Sequence, residues 1–114
     1  MSVVVITGAN RGIGLALCRQ LCSEHTVHAL CRIASAELNA LPVVIHEGVD
    51  VRDPHSIPSD LPAIDILINN AGILRLDALL SLNIEEMKEQ FLVNSLGPLT
   101  VTQALLSKLS IGSK

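Results

Sequence analysis

The stretch Val3-Val4-Val5-Ile6-Thr7-Gly8-Ala9-Asn10-Arg11-Gly12-Ile13-Gly14 sets a run of four apolar residues, three of them valine, directly before three glycines that fall within seven positions. A strand with no polar position has no solvent face. It needs cover on both sides, which crossover helices give to a central strand of a parallel sheet. Glycines just after it let the backbone turn tightly and approach a bulky anion. Ile13, Ala16, Leu17 and Leu21 recur at helical spacing and open a helix near Gly12. Strand, glycine turn and helix N-terminus together predict a pyrophosphate site, because unpaired N–H groups and the positive end of the helix dipole face the ligand. A turn that only packs a helix on a sheet would use the same glycines. The spacing is Gly-x-x-x-Gly-x-Gly, not the commonest dinucleotide fingerprint. Nor is it the nucleoside triphosphatase loop, which needs Gly-Lys-Ser/Thr where Gly12-Ile13-Gly14 stands.

A chain of 114 residues suits one domain that buries roughly two thirds of its unfolded surface. Hydrophobic residues make up 49% of it but aromatics only 1%, with one Phe and neither Tyr nor Trp, so the core has to be aliphatic. The same lack removes the stacking platforms of single-stranded nucleic-acid binders. A formal net charge of −3 gives no basic field for nucleic acid or anionic lipid. The apolar run after Met1 has no cationic leader and no segment is long enough to cross a bilayer, so a cytoplasmic location without a membrane partner is expected. Cys18, Cys22 and Cys31 form an odd set without a Cys-x-x-Cys pair and read as free thiols. His25, His28, His46 and His55 lack ligand spacing, so no metal site is expected and none of them is given a role.

Apolar runs and helical stretches then alternate. Residues 26–31, 43–46 and 64–68 read as the second, third and fourth strands, with at most a turn or two of helix over 33–41 and a weak helical turn over 53–60 broken by prolines. Asn83-Ile84-Glu85-Glu86 offers a capping box in which Glu86 reaches back. Ile84, Met87, Phe91 and Asn94 share a face of the helix that follows. Gly97-Pro98 should kink or restart that helix, and Val101, Ala104, Leu105 and Lys108 carry the pattern on to Leu109. The βαβ alternation governs the whole chain.

Thr7-Gly8-Ala9-Asn10-Arg11-Gly12-Ile13-Gly14, then Asp50-Val51, then Asn69-Asn70-Ala71-Gly72, then Asn94 resemble the short-chain dehydrogenase/reductase family in order and spacing, across nearly all of the sequence. The resemblance implies an α/β fold: a Rossmann-type parallel sheet with flanking helices, truncated after the fourth strand and the helix that follows. Residues 1–114 would be the amino-terminal part of an NAD(P)-binding domain. It implies that Gly8, Asn10, Arg11, Gly12, Ile13 and Gly14 cradle the pyrophosphate and adenosine ribose. Asp50 would accept from the adenine amino group with the Val51 backbone beside it, and Asn70, Ala71 and Gly72 would line the adenosine side. Read without the family, the alternatives are an exposed loop carboxylate for Asp50 and a plain turn for the Asn pair.

Relatives that use NAD carry an acid at the end of the second strand, which accepts from both ribose hydroxyls and would repel a 2′-phosphate. Arg32 stands there instead, and Arg11 lies in the glycine segment. Either alone could be a solvated surface residue. As a pair they suit a phosphate dianion through forked hydrogen bonds, so NADP is expected over NAD. The family's catalytic set is a Ser, a Tyr-x-x-x-Lys and an Asn that orders a water relay. Asn94 matches the Asn, the Ser and Tyr motifs would fall past Lys114, and the sequence holds no Tyr. Two functions follow: the cofactor-binding half of an NADP-dependent oxidoreductase acting on a small carbonyl or alcohol, or a catalytically inactive nucleotide-binding or dimerisation module. A homo-oligomer is expected. The fourth strand would have a bare edge, and the last helix would expose Leu99, Val101, Leu105, Leu106 and Leu109.

Overall fold

The computed structural model describes residues 1–114. Four strands, β1 (Val3–Thr7), β2 (Thr26–Leu30), β3 (Val44–His46) and β4 (Ile66–Ile68), form one parallel sheet in the order β3-β2-β1-β4. This is the first part of the doubly wound order of a Rossmann sheet. β1 is central, as its unbroken apolar run requires, pairing Val3↔Thr26 through Thr7↔Leu30 on one side and Val4↔Ile66 through Ile6↔Ile68 on the other.

Alternation along β1 and β2 feeds two cores. Val4, Ile6, Val27 and Ala29 pack with Leu15 and Cys18 of helix α1 (Gly12–Leu21) and with Leu38 of α2 (Ala36–Asn39). On the opposite face Val5 and Leu30 pack with Val49, Val51, Ile57, Leu61 and Ile64, and with Val93, Val101 and Leu105 from the helical region near the C-terminus. That region comprises α3 (Ile84–Phe91), a π-helical turn over Leu92–Leu96 and α4 (Gly97–Ala104). No helix is long and apolar enough to cross a membrane.

Several expectations are corrected here. β4 is shorter than residues 64–68, because the Asp65 carboxylate takes the Val3 N–H at 2.8 Å while Ile64 makes an isolated bridge to Leu109. Over 53–60 only Pro54–Ser56 is helical. Asn83 caps α3 by accepting from the Glu86 N–H at 3.1 Å, but its own N–H goes to Asp77 at 2.7 Å instead of Glu86. At Gly97-Pro98 the expectation of a kink or restart is met as a restart: the π-helical turn ends at Leu96 and α4 begins at Gly97, whose φ of −52° and ψ of −50° are helical. α4 stops at Ala104, leaving only a 3-10 turn at Leu106–Lys108.

The outer edge of β4 is also not bare. Ile64 and Leu67 donate to the carbonyls of Lys108 and Lys114 at 2.8 and 2.7 Å, and the Lys114 N–H returns to Asp65 O at 2.9 Å. The Ser113 hydroxyl donates to Ile64 O at 2.8 Å. The C-terminal residues thus satisfy the backbone groups that were expected to stand open. Val101 and Leu105 are buried in the core; Leu99 and Leu106 are the ones left in solvent, at 67% and 63% exposure.

Residues 74–85 are all exposed, and the chain measures 50 × 30 × 22 Å. Its radius of gyration of 14.8 Å exceeds the roughly 13 Å of a compact domain of this length.

Candidate functional site

A cleft of about 420 Å³ opens at the carboxyl ends of the strands, where β1 and β4 part and their following segments leave for opposite faces of the sheet. Gly8, Asn10, Arg11, Gly12, Ile13, Arg32, Asp50, Val51, Asn70, Ala71 and Gly72 all line it. Gly14 and Asn94 do not line the cleft.

The glycine segment is built for backbone approach. Gly8 and Gly12 have φ of +62° and +55°, a region that side chains penalise. A Cβ on Gly8 would sit 2.8 Å from the Ala71 Cα. One on Gly14 would run into the Gly8 carbonyl oxygen, so Gly14 lets α1 pack beneath the loop. The first backbone bond of α1 runs from Leu15 N–H to Arg11 O at 3.2 Å, and no side chain caps the helix. The N–H groups of Gly12, Ile13 and Gly14 are left as donors at the positive end of the helix.

Thr7, Asn70 and Ser35 hold this loop in place, and of these only Asn70 was singled out from the sequence. The buried Thr7 hydroxyl accepts from the N–H groups of Asn70 and Ala71, both at 3.0 Å, joining the ends of β1 and β4. Asn70 returns its amide to the carbonyls of Thr7 and Gly8 at 3.1 and 3.2 Å. Ser35 caps α2 and donates to Asn10 O at 2.5 Å, tying the loop to the segment after β2. A Thr closing an apolar strand and a Ser opening a short helix were the available signals, but their partners are distant in sequence.

The loop after β3 forms the other wall. Ser56 accepts from the Asp50 N–H at 2.9 Å, and its hydroxyl lies 2.8 Å from the carbonyls of Asp50 and Asp53. Arg52 grips Asp50, with Nη2 2.7 Å from Oδ2 and Nε 3.0 Å from Oδ1. This hydrogen-bonded guanidinium holds the Asp50 carboxyl below its ordinary value, against the opposing effect of burial, with Arg32 adding a smaller pull. Val51 is buried under Gly97, where a Cβ would come within 2.9 Å of the valine Cγ2.

Asn94 lies in the π-helical turn. Its Oδ1 accepts from the Ile73 N–H at 2.8 Å and its Nδ2 donates to Ile73 O at 2.7 Å, so the side chain braces the strand-like segment after β4. Pro98 lacks the N–H that would bond the Asn94 carbonyl in a regular helix.

Four arginines, Arg11, Arg32, Arg52 and Arg75, face two carboxylates, Asp50 and Glu89, around the cleft of a chain whose formal net charge is −3. That local surplus of positive charge favours a polyanion. Residues 2–114 match the family model described as short chain dehydrogenase. The chain belongs to the short-chain dehydrogenase family. Among curated short-chain dehydrogenase relatives, the 1-hydroxy-2-glutathionyl-2-methyl-3-butene dehydrogenase of Rhodococcus sp. (strain AD45) is 32% identical over 100% of this chain and 54% of its own length. Among solved structures, NADPH-bound carbonyl reductase from chicken fatty liver superposes with a TM-score of 0.80 at 30% identity, covering 93% of this chain and 50% of that one. Serine dehydrogenase from Escherichia coli gives a TM-score of 0.80 at 28% identity, over 93% and 55%. The chain therefore spans about half the length of these short-chain dehydrogenases and shares their fold over that span.

Proposed function

We propose that this chain is the cofactor-binding half of an NADP-dependent oxidoreductase that interconverts a small carbonyl compound and its alcohol. The observation that carries the reading is the pairing of Arg11 and Arg32 on the cleft, with no carboxylate at the end of β2. Two guanidinium forks there suit the 2′-phosphate, and the acid that selects a free ribose is missing. The NADPH-bound carbonyl reductase among the similar structures supports the same choice.

The residues present fit a dinucleotide on their own chemistry. Bare N–H groups at Gly12 and Ile13, both on the cleft, would hold the pyrophosphate. Asp50 is an acceptor suited to an amino group on the base, with Val51 beside it. Asn70, Ala71 and Gly72 would wall the adenosine side. Bound there, the nicotinamide supplies the hydride donor or acceptor. Asn94 keeps the wall in place through Ile73 and is the residue that would order a water for proton transfer. The 114 residues contain no Tyr. That favours, as a second reading, a nucleotide-binding or dimerisation module without turnover of its own.

Calorimetric titration tests the first reading. NADPH should bind at least about tenfold more tightly than NADH, the worth of one charge-assisted contact. Arg32→Asp should reverse the order. Equal affinities in the unmodified protein would contradict the proposal, and NADPH binding without NADPH consumption on addition of carbonyl compounds would favour the second reading.

A further inference from the structure

Arg52 is the side chain of the cleft with the most contacts that neither the sequence motifs nor the cofactor argument uses. It sits two residues past Asp50, and both ends of its guanidinium are engaged. Nη2 and Nε clasp the two oxygens of Asp50, its backbone N–H adds a bond to Oδ1 at 2.9 Å, and Nη1 lies 3.5 Å from Glu89 Oε1 on α3. Oδ1 thus takes the Arg52 backbone N–H and Nε, while Oδ2 takes Nη2 and a longer contact from Nε at 3.2 Å, so Arg52 holds both oxygens of a group that can only accept. The carboxylate is only about one-third exposed, at 31%.

We propose that Arg52 is a specificity-determining positioning residue: by clamping Asp50 at both oxygens it presents a fixed, acceptor-only carboxylate to the base of the bound dinucleotide, so that a 6-amino purine is taken and a 6-keto purine is refused. This rests on the reading that the cleft holds a dinucleotide. A free carboxylate could rotate away from a keto oxygen or be bridged to it by water. A forked, immobile one leaves two acceptors facing each other without a proton between them, and such unmatched buried groups are what give polar sites their discrimination. Lys in place of Arg would keep the charge and lose the fork. The charged groups facing Asp50 are Arg52 on its own loop, Arg32 from the end of β2 and, acting through Arg52, Glu89 from α3.

The test compares NADPH with its hypoxanthine analogue, in which a keto oxygen replaces the adenine amino group. Affinities are measured by calorimetry at pH 7 and again toward pH 4. The unmodified chain should prefer NADPH by about tenfold or more, the range of one lost polar match. Arg52→Ala should bring the ratio below about threefold, largely by gaining on the analogue, and should move the acid limb of NADPH binding to higher pH, because Asp50 then protonates more easily. Arg52→Lys should keep the acid limb near its place and still lose most of the discrimination. Glu89→Gln, which frees only the outer end of the guanidinium, should lower the ratio by a smaller factor and serves if Arg52→Ala does not fold. In the free protein, carbon NMR of the Asp50 carboxyl should show its midpoint rising in Arg52→Ala, a readout independent of cofactor and of packing. If Arg52→Ala binds NADPH with an unchanged base ratio and an unchanged acid limb, the proposal is wrong while the cofactor site stands. If the unmodified chain binds neither dinucleotide, the cofactor reading fails and this inference falls with it.

Discussion

Residues 27–30 and residues 79–82 each hold three apolar residues and one polar one, yet the first four are all buried and the second four are all exposed. Val27, Ala29 and Leu30 gain cover because β2 pairs with β1 and β3 and receives side chains from both layers. Leu79, Leu80 and Leu82 stand at 88%, 102% and 44% exposure, on a segment that leaves the sheet after Ile73 and returns only at Val93. Burial here follows connectivity, not composition. A parallel strand brings its own crossover cover, whereas a segment that runs past the end of the sheet has none within reach. Exposed apolar surface of this extent is typical of contact sites.

The widest gap between the two regions should appear in stability. Ile6→Ala should cost about 2–5 kcal/mol, because it leaves a cavity in a packed core. Leu80→Ala should stay within about 0.5 kcal/mol, because that side chain touches only solvent. Chemical denaturation of both variants checks this. A large loss at Leu80 would mean that the outlying segment folds back onto the protein and that the contrast is not real.

A smaller effect sharpens the picture at the sheet's other edge. His28 and His46, given no role from sequence, meet across β2 and β3, with Nδ1 and Nε2 3.0 Å apart and the rings stacked at 5.3 Å. Burial first, then the neighbouring His46, lower His28 below its ordinary 6.5, while Asp60 opposes weakly. The folded chain then binds fewer protons than the unfolded one just below pH 6.5. The stability this gives is present above that value and is lost as pH falls toward the folded-state value. The melting temperature should drop by a few degrees between pH 7.5 and 5.5, and His28→Val should flatten the slope over that interval. An equal slope in the variant would place the titrating group elsewhere.

Much of the cleft was legible because its residues carry local signals. Apolar β1, the glycines after it, Asp50-Val51 and Asn70-Ala71-Gly72 are each contiguous, and eleven of the residues singled out for the cofactor line one cavity. What stayed hidden depends on pairing between distant segments. Nothing near Arg52 foretells Glu89, nothing near Thr7 foretells the N–H groups of Asn70 and Ala71, and the histidine pair exists only through the β2–β3 register. The covered edge of β4 was missed for the same reason, since Ser110–Lys114 has no strand pattern and its bonds to Ile64, Asp65 and Leu67 depend on a turn through Gly112 at φ +96°. The capping of Asn83 by Asp77 is another contact of a loop with a helix that no periodicity encodes.

The central claim is that the segments following β1, β2, β3 and β4 make a dinucleotide cleft, with Glu89 of α3 at its rim, and that the exposed apolar segment 76–85 plays no part in it. Amide NMR shifts on titration with NADPH test this most directly. The account predicts changes at Gly8, Ile13, Arg32, Val51 and Ala71, with Leu79, Leu80 and Leu82 unmoved. Shifts centred on residues 76–85, or none in the glycine segment at saturating NADPH, would contradict it.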